Sequence, residues 1–133
     1  MNDTRFDQLI RELTEKLFPV CDWHLIKAQV AQESAFDPNA KSPVGALGLL
    51  QLMPFTGKEL GLSEQDLLIP EKNLDAGIRY LRLQYICFPE IAEHEEKLKS
   101  SLCKVNGKTP DWKQATGYVE KIWKRYLSGK RAA

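Results

Sequence analysis

Between Asp22 and Ser34 the apolar residues Trp23, Leu25, Ile26, Ala28, Val30 and Ala31 do not keep to one side of a helix. A helix apolar nearly all round must be buried, with the others packed around it. The chain supplies those others. Phe6, Leu9, Ile10, Leu13 and Leu17 recur at helical spacing, with Asn2 or Asp3 placed to cap the start and Pro19 closing the segment. Leu74, Ile78, Leu81 and Tyr85 give a clear amphipathic stripe, with Pro70 near its start and a break at Phe88 and Pro89. Residues 90–102 read as a further, strongly charged helix. After a turn at Asn106 and Gly107, Thr109 can cap a last helix with Pro110 at its first position. Ala115, Val119, Ile122, Trp123 and Tyr126 give that helix its apolar side. No stretch alternates with the period of a strand. The expectation is an all-α fold, a compact cluster of roughly six or seven helices forming one domain over the whole chain.

The connections are legible too. Pro38, Asn39, Ser42 and Pro43 make 36–44 a loop. Gly45 to Met53 is small and apolar, and reads as a short tight helix ending before Pro54. A second short helix should run from Pro54 to near Gly61, and Ser63 can cap another brief turn.

Charge and composition exclude several classes. An apolar fraction of 43% argues against disorder, and no apolar run approaches the roughly 18 residues of a membrane span. A net charge of +1 gives no reason to expect nucleic acid as a partner. That value hides a polarity: residues 1–96 carry 9 basic and 16 acidic groups, whereas residues 97–133 carry 10 basic and 2 acidic. The basic part reads either as a solvated helix face or as a surface for an anionic partner. Cys21, Cys87 and Cys103 cannot all pair, and buried free thiols are expected. Cys21 and His24 could share a helix face, but two ligands do not make a zinc site, and no metal or cofactor is called for. Met1 to Phe6 lacks the basic and apolar regions of a signal peptide, so the chain as written is expected to stay in the cytoplasm, or to travel as part of a larger particle or by a holin-type route.

Glu33 is the residue that points to chemistry. It ends the most apolar helix of the chain, where the last carbonyls carry partial negative charge and where burial removes solvent. Both effects disfavour the ionised form and raise a carboxyl pKa, as a general acid for a glycosidic oxygen requires. The plain alternative is a glutamate reaching solvent at a helix end. Downstream, Gln51 lies inside the apolar run Gly45–Pro54 and needs a partner: Glu33, the backbone, or a ligand amide. Met53 offers a pliable apolar contact.

Taken together, Glu33-Ser34, Ser42, Gly45-Ala46-Leu47-Gly48-Leu49-Leu50-Gln51-Leu52-Met53-Pro54, the Pro70…Asn73-Leu74-Asp75-Ala76-Gly77…Tyr80-Leu81 segment and Thr116-Gly117-Tyr118-Val119 resemble the SLT-type lytic transglycosylases. The resemblance implies a lysozyme-like helical domain acting on peptidoglycan glycan strands. It implies that Glu33 is the single acid/base for the β-1,4 bond between N-acetylmuramic acid and N-acetylglucosamine, leaving 1,6-anhydro ends. Ser42, Gln51 and Met53 would line the sugar groove, and Asn106, Gln114 and Tyr118 are further substrate-binding candidates. Such chemistry does without the paired carboxylates of most glycosidases. Asp37, in an Asp-Pro loop, reads as a turn residue.

One region departs from the family. Where its members carry Ala-Tyr-Asn-Ala-Gly, this chain reads Leu102-Cys103-Lys104-Val105-Asn106-Gly107, and the gap to Tyr118 is short. Either Asn106 is a degenerate remnant, or a tyrosine-bearing helix is deleted and Asn106 matches by accident; the turn-like Asn106–Pro110 favours deletion. A missing tyrosine should open one wall of the groove, move the Glu33 pKa back towards about 4.3 and impair turnover. An apolar edge left by a deletion could drive self-association. The competing functions are a hydrolytic muramidase, a catalytically weak wall-binding module, and a helical interaction domain whose charge polarity is the point.

Overall fold

The computed structural model describes residues 3–106 and 117–132, and the order of elements is helical throughout. The helices are α1 (Asp7–Leu17), α2 (Trp23–Ser34), α3 (Pro54–Glu59), α4 (Pro70–Ile86), α5 (His94–Val105) and α6 (Tyr118–Ala132), with a 3-10 turn at Asp66–Leu68. The described residues form no strand, only isolated bridges. None of these helices is long and apolar enough to cross a membrane.

The segment apolar on every side is the centre of the molecule. Leu25, Ile26, Ala28 and Val30 of α2 are fully buried, and α2 packs against α1 on one side and α6 on the other. Asp22 starts it, its Oδ1 accepting the His24 N–H at 3.0 Å. That carboxylate also holds the His24 ring at 2.8 Å, so His24 is turned to Asp22 and not paired with Cys21. α4 packs on α1 and α5, burying Leu74, Ile78 and Leu81 as their spacing requires. α5 is charged outside, yet seats Leu98, Leu102 and Cys103 in the same core. Glu93 caps it, accepting from the N–H groups of Glu95 and Glu96 at 3.0 and 2.7 Å. Val119, Ile122 and Trp123 are the buried face of α6. Thr109, Pro110 and Ala115 lie outside the described residues.

Three expectations need correction. Asp3 does not cap α1: Phe6 occupies that position without a side-chain bond, and the Asp3 carboxylate is taken by Arg5, whose Nη2 lies 2.8 Å away. Asn2 lies outside the described residues. Cys21 and Cys103 are buried, but Cys87 is exposed just past the end of α4.

The third correction bears on the site. Gly45 to Met53 is not a helix. Gly45, Gly48 and Gln51 have φ of 94°, 79° and 52°, and a right-handed helix cannot pass through such residues. The segment folds back on itself instead, with Leu47 and Leu52 exchanging backbone hydrogen bonds at 2.9 and 3.0 Å. What holds this loop is Asn73 of α4, a fully buried residue. Its Oδ1 accepts from Leu50 N at 2.8 Å, and its Nδ2 donates to the carbonyls of Leu47 at 2.9 Å and Leu67 at 2.8 Å. A Cβ on Gly48 would collide with the Leu67 carbonyl and the Asn73 amide, and one on Gly77 would strike Leu50. Glycine at 48 therefore answers to both its φ and its surroundings. Replacing Asn73 by Ala strands Leu50 N–H and Leu67 C=O and leaves the Leu47 carbonyl with its bond from Leu52 N alone, at a cost of about 1–3 kcal/mol for each group left unpaired. Asn73→Ala should lower urea-unfolding stability by about 2 kcal/mol or more, and Gly48→Ala should also be markedly destabilising.

Candidate active site

Glu33 sits on the last turn of α2, beside the carbonyl end of that helix. Immediately after it the chain reverses through Ala35 and Phe36, both non-glycine residues with positive φ, at 51° and 65°. Glycine is the usual choice there, so this turn is strained and must be held from outside. Burial of Phe36 and a hydrogen bond from Arg5 Nη2 to the Phe36 carbonyl, 2.8 Å, hold it. Next comes an Asx turn in which Asp37 Oδ1 accepts the Asn39 N–H at 2.9 Å, the turn role its sequence context indicates. The chain then enters the glycine loop opposite the acid.

A groove of about 280 Å³ opens between these parts. Glu33 forms one side; Ser42, Val44, Ala46, Gln51, Leu52 and Met53 come from the loop; Thr56 comes from α3, Tyr80 from α4, and Val105 and Asn106 from the end of α5. Ser42, Gln51, Met53 and Asn106 are thus gathered with Glu33. Their duties differ. Ser42 Oγ accepts the Ala46 N–H at 2.9 Å and closes the loop's first turn. Gln51 finds its partners in the backbone, donating to the carbonyls of Gly48 at 2.9 Å and Ala40 at 3.2 Å. Met53 stands 41% exposed at the mouth, available as apolar contact area.

Val105 and Asn106 line the groove although the surrounding motif is altered, so α5 still presents its end to the acid. This placement favours retention of the position over an accidental match at Asn106. Gln114 lies outside the described residues. Tyr118 is not a distant candidate: its hydroxyl donates to Glu33 Oε2 at 3.2 Å, reaching the acid from α6. The expected return of the Glu33 carboxyl to an ordinary pKa is overturned. Burial pushes it up to about 7, opposed only in part by the hydrogen bond from Tyr118. α6 reaches the acid through Tyr118, and the end of α5 brings Val105 and Asn106 to the groove. Burial and the adjacent Glu33 hold the Tyr118 hydroxyl protonated well above neutrality, so it stays a donor.

Glu33 is the single carboxyl among the described residues lining the groove. A lone acid titrating near 7 can give a proton to an oxygen and take one back at neutral pH. Sequence reasoning missed Val44, Thr56 and Tyr80 as lining residues. For Tyr80 a signal existed: Asn73, Gly77 and Tyr80 step by four and three along α4, which places them on one face. The first two press against the glycine loop, and the third reaches the groove beyond it.

Known proteins bear on this geometry. The transglycosylase SLT domain family matches residues 14–118. Membrane-bound lytic murein transglycosylase F of Vibrio cholerae is 36% identical over 94 residues, covering 71% of this chain and 17% of that protein. The protein of the same name from Cronobacter sakazakii is 33% identical over 122 residues, covering 92% of this chain and 21% of that protein. Among solved structures, the 70 kDa soluble lytic transglycosylase of Escherichia coli superposes with a TM-score of 0.69 at 25% identity, over 97% of this chain and 24% of that one. Slt of Pseudomonas aeruginosa, solved as an inactive glutamate-to-glutamine variant, shares the fold with a TM-score of 0.74 at 21% identity, over 97% of this chain and 24% of its own. The chain spans about a fifth of the length of these curated relatives. With its helices, its glycine loop and its acid arranged in this way, the chain belongs to the transglycosylase SLT domain family.

Proposed function

We propose that this chain is a lytic transglycosylase that cleaves the β-1,4 bond between N-acetylmuramic acid and N-acetylglucosamine in peptidoglycan. The observation that carries the reading is the Glu33 environment: one buried carboxyl with a pKa near 7, hydrogen-bonded by Tyr118 and facing a groove with no second carboxyl among its described residues. Near neutral pH about half of the enzyme holds Glu33 protonated. That form gives its proton to the glycosidic oxygen as the bond to C1 breaks, and Glu33 becomes a carboxylate. The carboxylate then takes the proton of the muramoyl C6 hydroxyl as its oxygen bonds to C1, which closes the 1,6-anhydro ring and restores the acid. Tyr118 orients the carboxyl and steadies the ionised form between the two steps. Gln51 and Ser42 keep the opposite loop in shape, while Met53, Val44 and Tyr80 offer apolar surface to sugar rings. Val105 presents no hydroxyl to the groove, and we read turnover as slower for that reason.

Glu33→Gln should abolish release of anhydro-muropeptides from purified peptidoglycan, read by mass spectrometry. Products heavier by one water in the wild-type digest would instead assign a hydrolase, and none at all would leave a binding module. Because the first step needs the protonated acid, kcat/KM should fall as pH rises through about 7. Tyr118→Phe removes a hydrogen bond that favours the ionised form, so that alkaline limb should move to higher pH while kcat drops about tenfold from lost positioning. The same shift sets a stability trend. The folded pKa lies above the unfolded one, so Glu33 costs nothing below about 4.5 and progressively destabilises the fold as pH rises through about 7. Glu33→Gln should therefore unfold at a higher temperature than wild type at pH 8, by about 2 kcal/mol of stability, and match it at pH 4.

A further inference from the structure

α2 places a buried amide one turn before the acid. Gln29 is 1% exposed, in a stretch of helix otherwise filled by Ile26, Ala28 and Val30. It precedes Glu33 by four residues, so the two side chains stand on one face of α2, towards α6. A buried amide needs partners at both ends. One end has its partner. The Gln29 amide hydrogen-bonds the Tyr118 hydroxyl in the sense that favours the ionised phenol, which is the sense of an N–H donor and not of a carbonyl. The other end does not: Gln29 Oε1 is buried with no hydrogen-bond partner among the described residues. The amide is therefore held by its nitrogen.

Tyr118 is thus bonded on both sides. It accepts from Gln29 and donates to Glu33 Oε2 at 3.2 Å. A phenol hydroxyl by itself could also turn round and accept the Glu33 proton. Such a bond would spend that proton inside the protein, away from a glycosidic oxygen. With a donor already aimed at its oxygen, Tyr118 keeps one direction. Oε2 stays an acceptor, and the proton of the protonated acid is left to Oε1. Other titratable groups surround this contact. Cys103 of α5 faces the hydroxyl and, with Glu33, holds it protonated. Tyr80 of α4 shares the groove with Glu33. On α6, Glu120 is exposed, and Lys121 lines the outer side of the helix with Lys124 and Arg125. On α2, Lys27 is closed on Asp7 of α1 at 2.8 Å and, two residues from Gln29, lies on another face of the helix.

We propose that Gln29 is a positioning residue, which holds the Tyr118 hydroxyl as a one-way donor to Glu33 and so keeps the acid's proton for the groove. This rests on the acid/base reading of Glu33 above. Gln29 is not among the residues lining the groove, so it acts through Tyr118 and not on the sugar. Linked hydrogen bonds polarise one another, and a donor behind Tyr118 makes it a better donor in front. Losing that donor weakens the bond that favours the Glu33 carboxylate, and the acid then titrates higher.

The test is titration of the Glu33 side chain in the free protein, by NMR of its labelled carboxyl carbon, which needs no substrate. Gln29→Leu should raise the midpoint from about 7 by roughly half a pH unit. Gln29→Met, which also lacks the amide and is closer to it in length, should raise it equally. In the Tyr118→Phe protein neither substitution should move it. A lowered midpoint would mean that the amide carbonyl competes for the Tyr118 proton. That result, no shift at all, or the same shift in the Tyr118→Phe protein overturns the assignment. Both single variants should melt no lower than wild type, because each removes an orphaned buried carbonyl along with the bond. A rise in one variant alone, accompanied by a lower melting temperature, is a packing effect and overturns the assignment too. On peptidoglycan, kcat should fall about threefold with KM unchanged, and the alkaline limb of kcat/KM should follow the NMR midpoint. If the wild-type protein releases no anhydro-muropeptides, the transglycosylase reading fails, while the titration still decides the role of Gln29.

Discussion

One buried amide holds the site together. Asn73 spends both ends of its side chain on the backbone: its oxygen accepts from Leu50 N–H, and its nitrogen donates to Leu67 C=O and, beside the Leu52 N–H, to Leu47 C=O. The loop's own bonds, among them the Leu47–Leu52 pair, leave Leu50 N–H and Leu67 C=O to be satisfied from outside, and unpaired buried groups would loosen it. Asn73 completes the set from α4. It thereby ties the floor of the groove to the helix that also carries Tyr80 into it. The close approach that Gly48 and Gly77 permit is the steric half of the same arrangement.

The acid depends on a different set of supports. α2 buries Glu33 by being central, and this placement raises its pKa without any neighbouring negative side chain. The left-handed pair Ala35 and Phe36 then removes the chain abruptly, leaving the carboxyl at the edge of a cavity and not under a loop. The strain in that reversal is balanced by packing of Phe36 and by Arg5 from the start of the chain. The acid's titration, the loop's shape and the N-terminal segment are thus linked through packing.

What the sequence made legible follows from how local each cause is. α2, α4 and the buried face of α6 are written in side-chain periodicity, and the structure returns them nearly to the residue. Glu33 was readable because one position combined burial with a helix end. The stretch Gly45–Met53 was misread because its conformation is set by Asn73 and by the collisions around Gly48, causes that lie some 25 residues away in sequence. Val105 and Asn106 depart from the family spelling, so the motif alone could not place them, yet the end of α5 brings both to the groove. The Tyr118–Glu33 contact could be guessed from family resemblance but not from periodicity, since Tyr118 reads as one more partly apolar position at a helix start.

That contact spans 85 residues, most of the length of the chain. Loop-closure entropy makes so distant a pairing among the last to be rewarded during folding. A chain in which the first five helices have condensed without α6 would leave the acid solvated on one side, an ordinary carboxylate and a poor proton donor near neutrality. The order of the elements therefore acts as a form of timing: the Tyr118 contact with Glu33 arrives with α6, after the five helices that precede it have shaped the groove.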